Sequence, residues 1–166
     1  MGAINHEEYS KALNRVASYC SKAERSKWDV MQRLAKFDLS AIEKNKIILW
    51  LENEQFLDEK RFCKAFVNDK VTFSRWGRLK IKQGLLQKRI DSVLIEEALE
   101  NIDRKVYMEN LSILIQRKIK SLKMKPEENH SQTQAKVIRY VANRGFLFSE
   151  IEHALQNSGI SFDFTW

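Results

Sequence analysis

Apolar residues along this chain fall into a pattern that occurs three times. Val30, Leu34, Leu39 and Ile48 are followed 51 positions later by Ile81, Leu85, Ile90 and Leu99. A further step of 56 reaches Val137, Val141, Phe146 and Leu155. Ile95 maps onto Ile151 by the second step, whereas the first copy has Lys44 at that place. Each set reads as a helix, a tight turn ending on an apolar residue, and a second helix. A period of roughly 50 residues in such a pattern predicts stacked helical units that bury each other's faces. The expected fold is all-α, three tandem three-helix repeats forming an elongated curved array. The expected boundaries are 1–73 for an N-terminal helix and the first repeat, 74–125 for the second, and 126–166 for a linker and the third. On such an array, function belongs to an extended surface and not to one deep pocket.

Polar residues at the edges of the apolar runs supply helix starts, because a Ser, Asn or Asp side chain satisfies the free N–H groups of a first turn. Asn5…Glu8 predicts a helix burying Tyr9, Ala12, Leu13, Val16 and Tyr19. Ser21…Glu24 predicts one burying Val30, Met31 and Leu34, and Ser40…Glu43 one through Ile47, Ile48 and Leu51. Asp58 caps a helix with Phe62, Phe66 and Val67. The second repeat opens at Ser74, turns near Lys88–Asp91 and restarts with Asp91 as a cap. Its third helix runs from Asp103 to about Leu122, a rod of about 28 Å, with Val106, Leu111, Leu114 and Ile115 inside. Lys123–Ser131, around Pro126, reads as the linker. Ser131…Gln134 and Ser149…Glu152 open the last two helices, with Gly145 as a left-handed cap between them. Ile160–Trp166 is apolar but irregular.

One proline and five glycines leave little material for strand turns. Cys20 and Cys63 both lie inside apolar helical patterns and read as buried free thiols in a reducing compartment. Met1–Ser10 has no apolar stretch of signal-peptide type, and the longest apolar run, Ile47–Leu51, is too short to span a bilayer. The expectation is a cytoplasmic protein with no membrane partner. His6, His130 and His153 stand far apart without a cysteine or second histidine at ligand spacing, so no metal site is expected, and His153 reads as a surface residue. No glycine-rich phosphate loop or nucleophile elbow occurs. No catalytic residue, cofactor or small-molecule substrate is therefore assigned.

The formal net charge is +7, and it is uneven: residues 1–73 carry +2, 74–125 carry +7 and 126–166 carry −2. Lys70 to Ile90 holds seven cations (Lys70, Arg75, Arg78, Lys80, Lys82, Lys88 and Arg89) and no acid. On a helical wheel Gly77, Ile81, Gly84 and Leu85 share one face, with Arg75, Arg78 and Lys82 to one side. A helical glycine costs up to about 1 kcal/mol against alanine, a cost that makes sense where another backbone comes close. That face is read as packing and its flank as exposed to a polyanion or an acidic protein surface. Trp76 suits either stacking on a base or anchoring the packing. The candidate partner-binding residues are Arg75, Arg78, Lys80, Lys82, Lys88 and Arg89, with Arg117 and Lys118 as additions from the long helix.

Four segments together resemble the RecX family of bacterial regulatory proteins: Ala23–Phe37, Leu51–Val67 (LENEQFLDEKRFCKAFV), Trp76–Ile90 (WGRLKIKQGLLQKRI) and Tyr140–Phe146 (YVANRGF). Leu57-Asp58…Arg61-Phe62 and Arg144-Gly145-Phe146 carry most of the likeness. Gln55 and Arg89 depart from it, each standing where the family has a glycine, and Cys63 replaces the common alanine. The resemblance implies tandem three-helix units that bind along the groove of the RecA–DNA filament and damp RecA's ATPase and strand exchange. Its implied partners are the RecA filament and single- and double-stranded DNA. General DNA binding by a basic helical protein is the alternative left by the residues themselves. Asp58, Arg61 and Phe62 read as structural: a helix cap, its neighbour and a core residue.

Overall fold

The computed structural model describes residues 6–123 and 130–158. Among the described residues there are nine helices and no strand. They are α1 (His6–Lys22), α2 (Lys27–Leu34), α3 (Ala41–Asn53), α4 (Glu59–Thr72), α5 (Arg78–Gln87), α6 (Ser92–Glu100), α7 (Arg104–Ser121), α8 (His130–Ala142) and α9 (Phe148–Gln156). No helix among them is long and apolar enough to cross a membrane. The Asn5 cap, the Lys123–Ser131 linker for the most part, and the Ile160–Trp166 segment lie outside the described residues. All twelve positions of the threefold apolar pattern are buried, as are Ile95 and Ile151. The repeat in the sequence is therefore a repeat of core positions.

The chain divides into two compact units, Met1–Phe66 with Leu85–Ala98, and Val67–Gly84 with Leu99–Trp166. In the first unit α1, α2 and α3 pack on one another. Ala12, Val16, Cys20, Val30, Leu34, Leu39, Ile47, Ile48, Leu51 and Leu57 form one cluster, with Tyr9, Leu13, Met31, Phe37 and Phe56 partly buried against it. The start of α2 differs from the expectation. Ser26, fully buried, accepts from the Asp29 N–H at 3.1 Å, while the Ser21 hydroxyl donates back to the Ser18 carbonyl. Both Ser21 and Ser26 offer a capping hydroxyl, but only Ser26 stands where the chain leaves extended geometry for the α2 turn. Ser40 and Glu43 do form the expected reciprocal cap of α3. Asp58 accepts from the Arg61 N–H at 2.9 Å and so caps α4. The Arg61 guanidinium then joins Glu24 at 2.8 Å and the Gln55 carbonyl at 2.9 Å.

Gln55 and Arg89, the two departures from the family's glycines, have φ of 60° and 56°. Both residues hold the left-handed conformation despite a Cβ, at a strain of roughly 1–2 kcal/mol each. At Arg89 an attraction offsets part of that strain, because the guanidinium lies 3.8 Å from the centre of the Trp28 ring. Both cysteines are buried in this unit, and burial pushes each thiol up to about 11.

In the second unit α7, α8 and α9 pack on one another. Gly145 ends α8 with φ 93°, the expected left-handed cap. The last helix starts earlier than expected: Glu150, not Glu152, reaches back to the open end, accepting from the Leu147 N–H at 2.9 Å. Along α7 the buried residues include Tyr107 and Asn110 as well as Leu111, Leu114 and Ile115. Val106, expected inside, is 42% exposed, since Tyr107 takes the inward position one residue on.

Two predictions follow from this packing. Gly77 meets the Gly145 backbone so closely that a Cβ built on it would lie 2.2 Å from the Gly145 carbonyl carbon. Backbone cannot step aside as a flexible side chain can, so Gly77→Ala is expected to lower stability by at least about 2–3 kcal/mol in urea unfolding. The second concerns Asp29, which holds Lys88 at 2.6 Å. Burial pushes the Asp29 carboxyl up, but hydrogen bonds from Lys88 and Ser26 outweigh it and hold the group below its usual range. The pair's stabilisation is then complete above the unfolded value of about 3.9 and fades as pH falls through the lower folded one. A double-mutant cycle of Asp29→Asn with Lys88→Met should read a coupling of about 1 kcal/mol at neutral pH that declines as the solution is acidified below about pH 3.9.

Candidate functional site

The close backbone crossing in the second unit organises the cations that the sequence singled out. Gly77 N–H donates to the Arg144 carbonyl at 2.7 Å, and Leu79 N–H to the Gly145 carbonyl at 3.0 Å. Returning across the junction, Arg144 Nη1 donates to the Ser74 carbonyl at 3.0 Å and Nη2 to the Tyr140 hydroxyl at 3.4 Å. Arg78 N–H donates to the Tyr107 hydroxyl at 3.0 Å, which in turn donates to Glu150 Oε2 at 3.0 Å. Burial pushes the Tyr107 phenol well above its ordinary range, with the Glu150 carboxylate adding to it. The phenol thus stays protonated and serves as a fixed relay between α5, α7 and α9. Its ring rests against Phe146, centres 5.0 Å apart.

These bonds occupy the N–H groups of Gly77, Arg78 and Leu79, the first donors of α5. An anion at this place would therefore be met by side chains and not by the helix terminus. The side chains are cationic and braced by rings. Lys80 Nζ lies 4.7 Å and Lys70 Nζ 5.1 Å from the Trp76 ring centre, so the two ammonium groups sit within roughly 10 Å of each other. Arg78 lies 5.4 Å from the Tyr107 ring centre, and Lys118 and Arg144 lie 5.2 and 5.5 Å from that of Tyr140. With Lys70 and Lys80 over its ring, Trp76 serves as an anchor for packing and for cations. The Nε atoms of Arg75 and Arg78 are buried and have no hydrogen-bond partner. Arg75 also sits at a left-handed φ of 49°, immediately before Trp76.

The eight candidate residues divide between the units. Arg75, Arg78, Lys80, Lys82, Arg117 and Lys118 belong to the second, Lys88 and Arg89 to the first. Lys88 is held by Asp29 and Arg89 lies on Trp28, so both take part in packing the first unit. Arg117 is exposed on α7, and Lys82 is half-buried on α5. Two cations at the crossing were absent from the candidates. Lys70 stands in the basic segment and Arg144 in the Arg-Gly-Phe motif, where an arginine beside a left-handed glycine is the signal that marks it. His153 is exposed on α9, its Nε2 3.2 Å from Asn157.

Fold and site together define an all-helical protein of three-helix units whose cations are set in aromatic packing. The family model for RecX, second three-helix domain, matches residues 58–99, which hold α4, α5 and most of α6. A regulatory protein RecX from Clostridium tetani is 27% identical over 151 residues, 90% of this chain and 68% of that protein. One from Clostridium botulinum is 31% identical over 131 residues, 79% of this chain and 59% of that protein. The crystal structure of RecX from Lactobacillus salivarius superposes with a TM-score of 0.81 at 22% identity, covering 92% of this chain and 97% of that one. These likenesses support the RecX family for this chain.

Tyr107→Phe removes the acceptor of the Arg78 N–H and the donor to Glu150 while keeping the ring. Leaving buried polar groups unpaired costs about 1–3 kcal/mol. The variant is therefore expected to unfold at lower urea with an unchanged slope, its helical content at zero denaturant being preserved.

Proposed function

We propose that this chain is a non-enzymatic cytoplasmic regulator that binds the RecA–DNA filament and damps RecA's ATP hydrolysis and strand exchange. Its similarity to proteins named regulatory supports the reading. The observation that carries it is the cluster around Trp76 and Tyr107, in which Arg75 and Arg78 keep buried Nε atoms without acceptors. Leaving such a nitrogen unpaired costs free energy, and charge-assisted bonds from a phosphate or carboxylate to the rest of the guanidinium would offset that cost. Arg78, Lys80 and Lys118 are held over rings, so little side-chain freedom remains to be lost when an anionic partner arrives. A filament offers the same anionic features at every turn, and several weak contacts then multiply through effective concentration.

The test is the single-strand-dependent ATP hydrolysis of RecA as this chain is titrated in, with bare-strand binding measured at the same salt. Inhibition is expected well below one copy per RecA, at salt where bare DNA is hardly bound. Binding to the bare strand through about six phosphates would weaken with a log–log slope of roughly −4 to −5, and inhibition should persist beyond that loss. Lys80→Gln with Lys82→Gln is expected to lower inhibitory potency about tenfold at unchanged helical content. Inhibition that begins only when the strand is coated would instead mark a DNA-binding competitor. No inhibition at any ratio would overturn the reading.

A further inference from the structure

The exposed apolar residues of the second unit are not scattered. Five large hydrophobic side chains of its described residues are exposed: Phe73 at 75%, Leu79 at 51%, Val106 at 42%, Leu147 at 41% and Phe148 at 48%. Four of them fall in the two short segments 73–80 and 144–148, which the hydrogen bonds from Gly77 to Arg144, Leu79 to Gly145 and Arg144 to Ser74 tie together. Phe73 adjoins Ser74, whose carbonyl Arg144 grips. Leu79 N lies 3.0 Å from the Gly145 carbonyl, and Leu147 stands two residues beyond it, a reach of at most about 7 Å. Cations alternate with these residues in the same segments: Arg75, Arg78, Lys80 and Arg144. Glu150, the acid nearest in the chain, is turned inward to Tyr107 and the Leu147 N–H.

Single exposed leucines need no explanation, but apolar side chains gathered at one tight crossing and rimmed by cations have the make-up of an interface centre. Phosphates gain nothing from leucine, and the ring best suited to a base, Trp76, already carries Lys70 and Lys80. We infer that the crossing of segments 73–80 and 144–148 is a docking surface for a protein, taking a partner segment that carries carboxylates beside apolar side chains. The inference rests on the proposed function, and on that reading the partner is the protein part of the filament. The apolar residues then supply affinity that salt does not screen, and the cations supply orientation and charge matching.

The experiment uses the triple variant Phe73→Gln, Leu79→Gln, Leu147→Gln, which keeps every cation. Binding of parent and variant is measured to RecA filaments assembled on polythymidylate with a non-hydrolysable nucleotide, and separately to bare polythymidylate. The variant is expected to bind filaments at least tenfold more weakly and the bare strand within twofold of the parent. A variant that binds filaments like the parent, or loses both ligands equally, overturns this inference and leaves the proposed function standing. A parent that ignores filaments overturns both. Should the triple variant lose helical content, Phe73→Gln and Leu147→Gln singly carry the same comparison, with a loss of at least threefold each on filaments expected.

Discussion

The second unit depends on one contact, the approach of the Gly77 backbone to that of Gly145. No residue with a Cβ fits at Gly77 without displacing backbone, and Gly145 combines the same tightness with a φ of 93°. The contact brings the start of α5 against the end of α8 and sets a main-chain hydrogen bond of 2.7 Å at the junction. Everything nearby is placed by it. Arg78 can reach the Tyr107 hydroxyl, Arg144 can reach Ser74, and Phe146 can lie under Tyr107. Remove the close approach and the aromatic rings lose the geometry that holds the cations.

The unit thus resolves a tension between stability and binding. Cations gathered in one region repel each other and cost desolvation when half-buried. Rings offset part of this, since a guanidinium or ammonium over an aromatic face is attracted by its quadrupole by about 0.5–1 kcal/mol at exposed sites. Carboxylates would offset more but would also occupy the cations, which is the outcome for Lys88 with Asp29 in the first unit and for Lys70 with Asp69 in the second. Around the crossing, Arg78, Lys80, Lys118 and Arg144 rest on rings, and the acid Glu150 is engaged by Tyr107 and a main-chain N–H. Bracing by rings leaves charge on offer to a partner.

Much of the fold was legible because helix formation is local. The 3–4 spacing of Val30 and Leu34, Ile81 and Leu85, and Val137 and Val141 named core positions that are all buried. The caps at Ser40, Asp58 and Gly145 were legible for the same reason. The misplaced starts were cases where two neighbouring residues both offered cap chemistry. Ser26 prevailed over Ser21, and Glu150 over Glu152, because the turn of the chain and not the residue type decides which side chain meets the open N–H groups. Val106 failed as a core residue through a shift of one position, which on a helix rotates a side chain by about 100°.

The sequence by itself determined that this protein is helical, which apolar residues form its core, and where its positive charge is concentrated. Those properties reside in residue type and in spacings of three, four and about fifty. Only the tertiary structure decided what each cation does. Lys88 looked equivalent to Lys80 in the sequence, yet one is bound to a carboxylate 59 residues away and the other lies over a ring four residues away. Arg144 joined the site because the chain closes on itself between Ser74 and Arg144, 70 residues apart, and Lys70 because the turn after α4 brings Trp76 back beside it, its N–H on the Lys70 carbonyl at 3.0 Å. Charge acts through distance and burial, and neither is fixed until backbones distant in sequence are brought together.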